Sequence, residues 1–406
     1  MSDSIPPRRA DSPQNWRRWR GPALFSYGFR PFFLSAGAWG LLAIALWLPQ
    51  WEGHFALPTA FQPLDWHAHE MIFGYLGAAM AGFLLTAIPN WTGRLPVAGA
   101  PLAALWGVWL AGRLAVALSA KVGAVTAMVV DVGFFVAFAA LAAREIMAGK
   151  NWRNLRVLGV VALIAGADIL FHVEAMTLGK ANYGLRLGLA ASIGLIMLIG
   201  GRIVPSFTRN WLARRGAGRL PIPFERFDAI AMAVGGLALL AWVAAPDRGA
   251  TGALALIASA AQAWRLWRWA PERTGGEALV WVLHAAYAFV PLGFLTAGIA
   301  ALAPDWITTG AALHAWGIGA VGGMTLAVMT RATRGHTGRA LASDLPTRIA
   351  YVAAFVAAFA RLAAGFAPGA AFLSIHIAAG AWIIATGAFL YAYAPMLTQR
   401  RKHADT

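Results

Sequence analysis

Nine histidines carry most of the chemistry that the sequence offers, because the chain contains no cysteine. The absence of thiolates excludes disulfides, iron–sulfur clusters and cysteine nucleophiles, so a metal site must use imidazole, carboxylate or methionine ligands. Seven of the histidines fall in or beside long apolar segments, where ionisable side chains are costly and usually functional. The other two, His54 and His403, lie in a loop and in the C-terminal tail, and we expect both to be solvated.

Five histidines are expected at one level of the membrane. Counting about 1.5 Å per residue along each segment places these residues in the outer third: His67, His69, His172, His314 and His376. One such histidine is commonly a hydrogen-bonded packing residue. Five at one depth indicate a metal or haem site, because neutral imidazole is the commonest metal ligand. Axial histidines on facing helices suit haem, and three histidines suit zinc or copper; the spacing leaves both interpretations open.

Twelve apolar segments must position these residues. The 406-residue chain is 59% hydrophobic and 12% charged, about half the charged fraction of a soluble domain, which excludes a soluble or disordered protein. Stretches of about 20 apolar residues can cross a bilayer, and they cover residues 31–50, 67–89, 99–119, 123–143, 156–177, 185–207, 227–245, 249–269, 277–303, 306–330, 347–367 and 370–395. The sequence therefore predicts an all-α integral membrane protein with twelve transmembrane helices within residues 27–397. A basic N-terminal tail covers 1–26 and a C-terminal tail covers 398–406.

The distribution of basic residues predicts the orientation. Of the 33 Lys and Arg residues, 26 fall in or near tails and loops on one side of the twelve-helix map and four on the other. Cytoplasmic loops of membrane proteins collect positive charge, so both termini are expected in the cytoplasm. The same asymmetry explains the formal net charge of +16 without nucleic acid as a partner.

An internal repeat gives two histidines equivalent positions. Segments 69–94 and 314–339 align without gaps and share His69/His314, two glycines and a terminal Thr-Gly-Arg. We therefore expect His69 and His314 to be the axial ligands of one six-coordinate haem. Residues 201–211, near the end of the sixth segment, form a looser copy. Because the second, sixth and tenth segments are four apart, the chain is compatible with three four-helix units.

The remaining histidines are assigned to further metal centres. A second centre, either a haem or a copper with an open position, is expected to use some of His67, His172 and His376. His67 and His69 are two residues apart, so on a helix they point to different sides and can serve different partners. Two histidines near the cytoplasmic side are assigned to an inner metal site or to quinol oxidation: His284 and His336.

Acidic and basic residues near these histidines are candidates for supporting roles. Three carboxylates are expected to deliver protons, namely Glu70, Asp168 and Glu174. Glu70 also suits the orientation of a ligand imidazole, and Asp131 is a further relay candidate. Arg113 and Arg202 are expected to pair with haem propionates. Arg361 can likewise pair with a propionate or with one of these carboxylates. Each of these charged residues alternatively forms an ion pair within the bundle.

Several motifs resemble the NnrS family of haem- and copper-containing membrane proteins of the nitric-oxide response. They are YGFRPFFL (27–34), WHAHEMIFGY (66–75), GFLLTAIPNWTGR (82–94), LAGR (110–113), GRIVPSFTRNW (201–211) and VMTRATRGHTGR (328–339). The resemblance covers nearly the whole chain. It implies a multi-pass protein of the bacterial cytoplasmic (inner) membrane, with one or two b-type haems, copper and a role under nitrosative stress. Haem–copper oxidases and nitric-oxide reductases offer a further architectural analogy, with histidines near the outer face on helices 2 and 10.

These observations favour a redox enzyme acting on nitric oxide. Two NO, two electrons and two protons would give N2O and water, with a quinol or a cytochrome as the electron donor. The alternative is a non-enzymatic haem-based NO sensor, scavenger or metal-handling protein. A transporter would place its site at the midplane between broken helices. Pro89, Pro205 and Pro291 offer breaks, but the histidines lie off the midplane, which disfavours transport.

Overall fold

A computed structural model describes residues 21–400 and shows an all-α membrane protein. Within these residues, each predicted segment lies on one long helix. The bounds are α1 Phe29–Trp51, α2 Pro63–Thr92, α3 Ala100–Ala117, α4 Ala124–Ala148, α5 Leu155–Leu178, α6 Tyr183–Leu212, α7 Arg226–Ala244, α8 Gly249–Trp267, α9 Ala278–Leu302, α10 Thr309–His336, α11 Leu345–Phe366 and α12 Ala371–Thr398. Most of the predicted N-terminal tail, and His403, lie outside the described residues.

Eleven of the helices in residues 21–400 are long and apolar enough to cross a membrane. The twelfth, α8, has 19 residues but is less apolar, because it carries Gln262 and Arg265. Both side chains are buried inside the bundle, and α8 packs against α7 and α9. The polar residues of α8 therefore face protein instead of lipid.

The other helices surround three central members. Many helices that follow one another in the chain pack together in this outer layer, and α12 packs against α1. Helices α2, α6 and α10 contact one another at the centre. These three helices carry the similar segments that the sequence places four helices apart. The end of the bundle at which α2, α6 and α10 begin is called the distal end below.

Each central helix contains a π-helical segment, where the backbone winds by more than four residues per turn. The segments are Glu70–Tyr75, Ile196–Gly200 and Ala315–Gly322. Segments of this kind are rare and occur frequently at functional sites. The helices run unbroken through their prolines, Pro89 in α2 and Pro205 in α6. The broken helices that a transporter would use are therefore not formed at these prolines.

Local interactions fix the ends of the helices. At the opposite end from the distal end, Arg30 of α1 donates hydrogen bonds to the carbonyls of Met396, Leu397 and Gln399 at the end of α12, over 2.6–3.2 Å. Carbonyls at the end of a helix lack partners within it, so Arg30 of the YGFRP segment ties the first helix to the last. Helix α2 ends at Gly93, whose φ of 69° is a left-handed value that glycine adopts without strain.

Candidate metal centre and distal cavity

A buried group of four metal-ligating side chains lies between α2, α4 and α5. It consists of His69, Asp131, Asp168 and His172, and one ligand atom from each lies within 4.8 Å of all the others. The four side chains are almost completely buried. Four donor atoms at about 2.1 Å from a tetrahedral ion lie about 3.4 Å from one another, so the group, called here the His/Asp centre, is compact enough to hold one ion.

His69 is the middle of the centre. Its Nε2 lies 3.0 Å from Asp131 Oδ2 and 3.0 Å from Asp168 Oδ1, and its Nδ1 lies 3.3 Å from Glu70 Oε1. When Nδ1–H donates to Glu70, the lone pair of Nε2 faces two carboxylate oxygens. That arrangement is repulsive unless a cation or a proton lies between these atoms.

Three residues outside the centre hold its members in place. Arg113 of α3 donates to Glu70 Oε2 over 2.6 Å and to Asp131 Oδ1. Trp39 of α1 donates its indole N–H to the same Glu70 oxygen over 2.6 Å. A Cβ added at Gly74 would lie 2.6 Å from Glu70 Oε2 and 2.7 Å from Arg113 Nη1. The glycine therefore gives this ion pair the room to pack directly on α2.

The charges of this region do not balance. Glu70, Asp131 and Asp168 bring three negative charges and Arg113 brings one positive charge, which leaves −2 when both imidazoles are neutral. Asp168 Oδ2 has no hydrogen-bond partner among the described residues. An uncompensated buried charge is strongly destabilising, so the region requires further positive charge, and one divalent cation supplies the amount needed.

Aromatic rings cover the centre. Phe61 lies with its ring centroid 5.1 Å from the imidazoles of both His69 and His172. Phe73 and Phe171 lie 5.1 and 5.2 Å from His69. These rings keep water away from the donor atoms and lower the local dielectric constant, which strengthens the interaction of the carboxylates with a cation.

A separate cavity opens beside α2 at the distal end. Its volume is about 360 Å³, and apolar side chains from α1, α2, α6, α10 and α12 form most of its wall. Three basic side chains also line it: His67, His314 and Arg361. A mostly apolar pocket with a few convergent polar groups is typical of cofactor sites. We call it the distal cavity.

The two histidines of the distal cavity present ring nitrogens that suit ligation. His314 Nδ1–H donates to the carbonyl of Gly310 over 2.7 Å, which leaves the lone pair of Nε2 free of a proton. Arg361 Nη2 lies 3.3 Å from that Nε2. His67 stacks on Trp47 with 4.3 Å between ring centroids, and its Nδ1 has no hydrogen-bond partner among the described residues.

The repeat-based haem assignment expected His69 and His314 to lie together at one haem. The structure does not bring these two histidines together. His69 lies in the His/Asp centre, whereas His314 lines the distal cavity together with His67. The reason is helical geometry: two residues along a helix rotate the side chain by about 200°. His67 and His69 therefore point to different sides of α2, as the sequence predicted, and the repeat position of His314 corresponds in space to His67.

The other predicted histidines lie outside both sites. His376 bonds to Glu52, at the end of α1, with 2.6 Å between Nε2 and Oε1. His284 is buried in α9, where Nε2–H donates to Thr208 Oγ1 over 2.7 Å. His336 packs between the rings of Tyr27 and Phe29, with 5.5 Å between centroids in each case. Of the expected second centre, only His172 joins the His/Asp centre.

Two other predicted site residues also lie elsewhere. Glu174 accepts hydrogen bonds from the backbone N–H groups of Asn182, Tyr183 and Gly184 over 2.8–3.0 Å. These donors begin α6 and lack partners within the helix, so Glu174 caps α6. Arg202 is exposed on the surface of α6, outside the lining of the distal cavity.

Sequence reasoning did not identify the aromatic residues of either site. Trp39 and Trp47 are two of 19 tryptophans, and nothing in their spacing distinguishes them from the others. Phe61 lies in the loop before α2. A usable signal existed for Asp131, which is the only charged residue in the first 20 positions of α4. A lone carboxylate in an apolar helix needs a buried partner.

The fold and the site together define a multi-pass, all-α membrane protein with a buried cluster of potential metal ligands. A comparison with protein-family models matches residues 23–401 to the NnrS protein family, so the chain belongs to that family. Membership makes it a membrane protein of the nitric-oxide response. A search of curated proteins found no match.

Proposed function

We propose that this protein is a metalloprotein that binds nitric oxide and reduces it to N2O. It holds one divalent transition-metal ion in the His/Asp centre and one b-type haem in the distal cavity. The observation that carries the proposal is the His/Asp centre itself, where four donor atoms converge in a region with a net charge of −2. A second haem is not part of the proposal.

The donor set of the His/Asp centre fits iron, copper or zinc. Imidazole suits all three ions, carboxylates favour harder ions, and the absence of sulfur ligands disfavours Cu(I). A tetrahedral Zn²⁺ would be saturated by the four donors, as in structural zinc sites. An ion that takes five or six ligands, such as Fe²⁺ or Cu²⁺, would keep a position for NO. The identity of the ion therefore separates an NO-binding centre from a structural one.

The distal cavity fits a haem by the chemistry of its wall. An apolar macrocycle matches the apolar side chains, and the imidazoles of His67 on α2 and His314 on α10 would be its ligands. Arg361 is placed to pair with a propionate, a role that the sequence also left open for Arg113. Arg113 is instead fully engaged by Glu70 and Asp131.

The two sites have different tasks in the proposed reaction. Reduction of two NO consumes two electrons and two protons and gives N2O and water. The haem would supply electrons and the non-haem ion a position for NO. His67 and His69 connect the sites across about half a turn of α2. Glu70 fixes the tautomer of His69, and Asp168, with its unpartnered Oδ2, is the carboxylate best placed to hold a proton beside the centre.

The orientation of the chain completes the proposal. The excess of basic residues at the end opposite to the distal end supports cytoplasmic termini, which places both sites near the outer face of the bacterial inner membrane. A quinol or a cytochrome would donate the electrons. His284 and His336, on the other side, have packing partners, so the proposal does not use them as metal ligands.

Formation of N2O tests the reaction. Purified protein with its metals is mixed with NO and a chemical reductant under anaerobic conditions, and N2O is measured by gas chromatography. We expect N2O in proportion to protein, and its loss in Asp168→Asn. The matched control is Asp228→Asn, which removes a buried carboxylate from the ion pair with Arg265 on α8 and should leave N2O formation intact. Binding of NO without N2O would instead support the sensor or scavenger function.

A further inference from the structure

A second, smaller cavity lies where α2, α6 and α10 meet. Its volume is about 70 Å³, and these three helices supply all of its lining side chains. The wall is almost entirely apolar. We call it the central cavity; the proposed metal and haem sites do not use it.

The central cavity offers no partners to water. Its lining includes two hydroxyl groups, Ser192 and Thr325. Ser192 donates to the carbonyl of Gly188 over 2.6 Å. Thr325 lies 2.8 Å from the carbonyl of Val321 and 2.6 Å from the hydroxyl of Tyr75. A buried water needs two to four polar partners, and apolar cavities without them stay dry and bind apolar ligands.

The backbone of α6 explains why the helices leave this space. The π-helical segment Ile196–Gly200 lies at the cavity and widens the helix, and the segment ends with a glycine. A Cβ at Gly200 would meet its nearest atoms only at 3.6–3.7 Å, which is ordinary van der Waals contact. A side chain at this position would extend beside Ile196 and Met324, which line the cavity, so a larger residue there should reduce its volume.

The central cavity adjoins the distal cavity. Leu76 lines both, and the hydrogen bond between Tyr75 and Thr325 joins a residue of the distal cavity to a residue of the central one. Leu76 and this hydrogen-bonded pair therefore lie where the two cavities adjoin.

We propose that the central cavity binds a small, uncharged gas molecule. The volume admits a molecule of two or three atoms, and the apolar, dry wall excludes ions and disfavours water. That the natural occupant is NO rests on the proposed function; the existence of a gas-binding cavity does not. The site would raise the local concentration of gas beside the distal cavity.

Xenon tests the proposal without requiring metal, haem or turnover. The purified full-length protein is studied under xenon pressure by crystallography and by ¹²⁹Xe NMR. We expect one xenon atom between α2, α6 and α10. Gly200→Val should abolish this site. Gly194→Val is the matched control on the same helix, because a Cβ at Gly194 meets no atom within 4 Å and Gly194 does not line the cavity.

The outcomes separate this proposal from the proposed function. Absence of xenon from the wild-type cavity, or equal occupancy in Gly200→Val and the wild type, would overturn the gas site even if N2O forms. Xenon bound in the cavity of a protein that forms no N2O would support the gas site while the reaction fails. If Gly200→Val does not fold, Ala79→Val fills the same cavity from α2, and it should give the same loss.

Discussion

Replacing Glu70 by Gln should weaken metal binding at the His/Asp centre without removing a ligand. The carboxylate of Glu70 accepts from Arg113 and Trp39 on one oxygen and from His69 Nδ1 on the other. An amide has a single acceptor oxygen. If that oxygen keeps Arg113 and Trp39, the amide NH2 faces His69 Nδ1, which must then give up its proton. The proton moves to Nε2, the atom that should bind the ion.

The size of the effect follows from the role of such partners. Loss of the group that orients a metal-ligating histidine typically lowers metal affinity 10- to 100-fold, which corresponds to about 1.4–2.8 kcal/mol at 1.4 kcal/mol per tenfold. The charge of the region also falls from −2 to −1, which acts in the same direction. We therefore expect the metal dissociation constant of Glu70→Gln to rise by one to two orders of magnitude.

The assay is competition with a fluorescent chelator on purified protein. Asp228→Asn is the control, because it also removes a buried carboxylate paired with an arginine but lies in α7, away from the centre. We expect its affinity to match the wild type. The reasoning is refuted if Glu70→Gln binds metal as tightly as the wild type, since the tautomer of His69 would then be irrelevant to the ion.

Three further predictions follow from the geometry. His314→Ala should abolish the low-spin haem spectrum in optical and EPR measurements, whereas His284→Ala, whose histidine bonds to a threonine outside the cavity, should retain it; the reverse result would contradict the haem site. Glu174→Gln should lower the stability of the detergent-solubilised protein by about 1–3 kcal/mol, because three backbone N–H groups at the start of α6, including that of the buried Gly184, lose their charged acceptor. Unchanged thermal unfolding would argue against the cap. Reporter fusions after Asp247 and after Thr406 should report opposite sides of the membrane, and the same side for both would refute the twelve-helix topology.

The helices could be predicted from the sequence because a lipid bilayer requires each helix that spans it to have a certain length and an apolar composition. Segments of about 20 apolar residues separated by Pro, Gly or charge define each crossing, and the helices begin and end within a few residues of the predicted bounds. The largest difference concerns α10, which ends at His336 and not at 330. Its last turns include Arg331 and Arg334, so the helix continues past the apolar segment that the sequence marks.

The candidate site could be predicted only in part. Ionisable side chains are costly to bury in an apolar segment, which marks His69, Asp168 and His172 as functional candidates. The structure brings these three residues together. The partners of each histidine depend on which way its helix face points, and this rotation is set by packing with distant helices. The repeat gave α2 and α10 equivalent positions, but it could not show that His67 points to the distal cavity and His69 to the carboxylates.

The metal content of purified protein tests the central claim most directly. Elemental analysis of the wild type, His172→Ala and Asp228→Asn should show one non-haem transition-metal ion per chain in the wild type and in Asp228→Asn. His172→Ala should lose that ion while its haem spectrum persists, because His67 and His314 lie outside the centre. A wild-type protein without non-haem metal, or a His172→Ala variant with full metal content, would contradict the account.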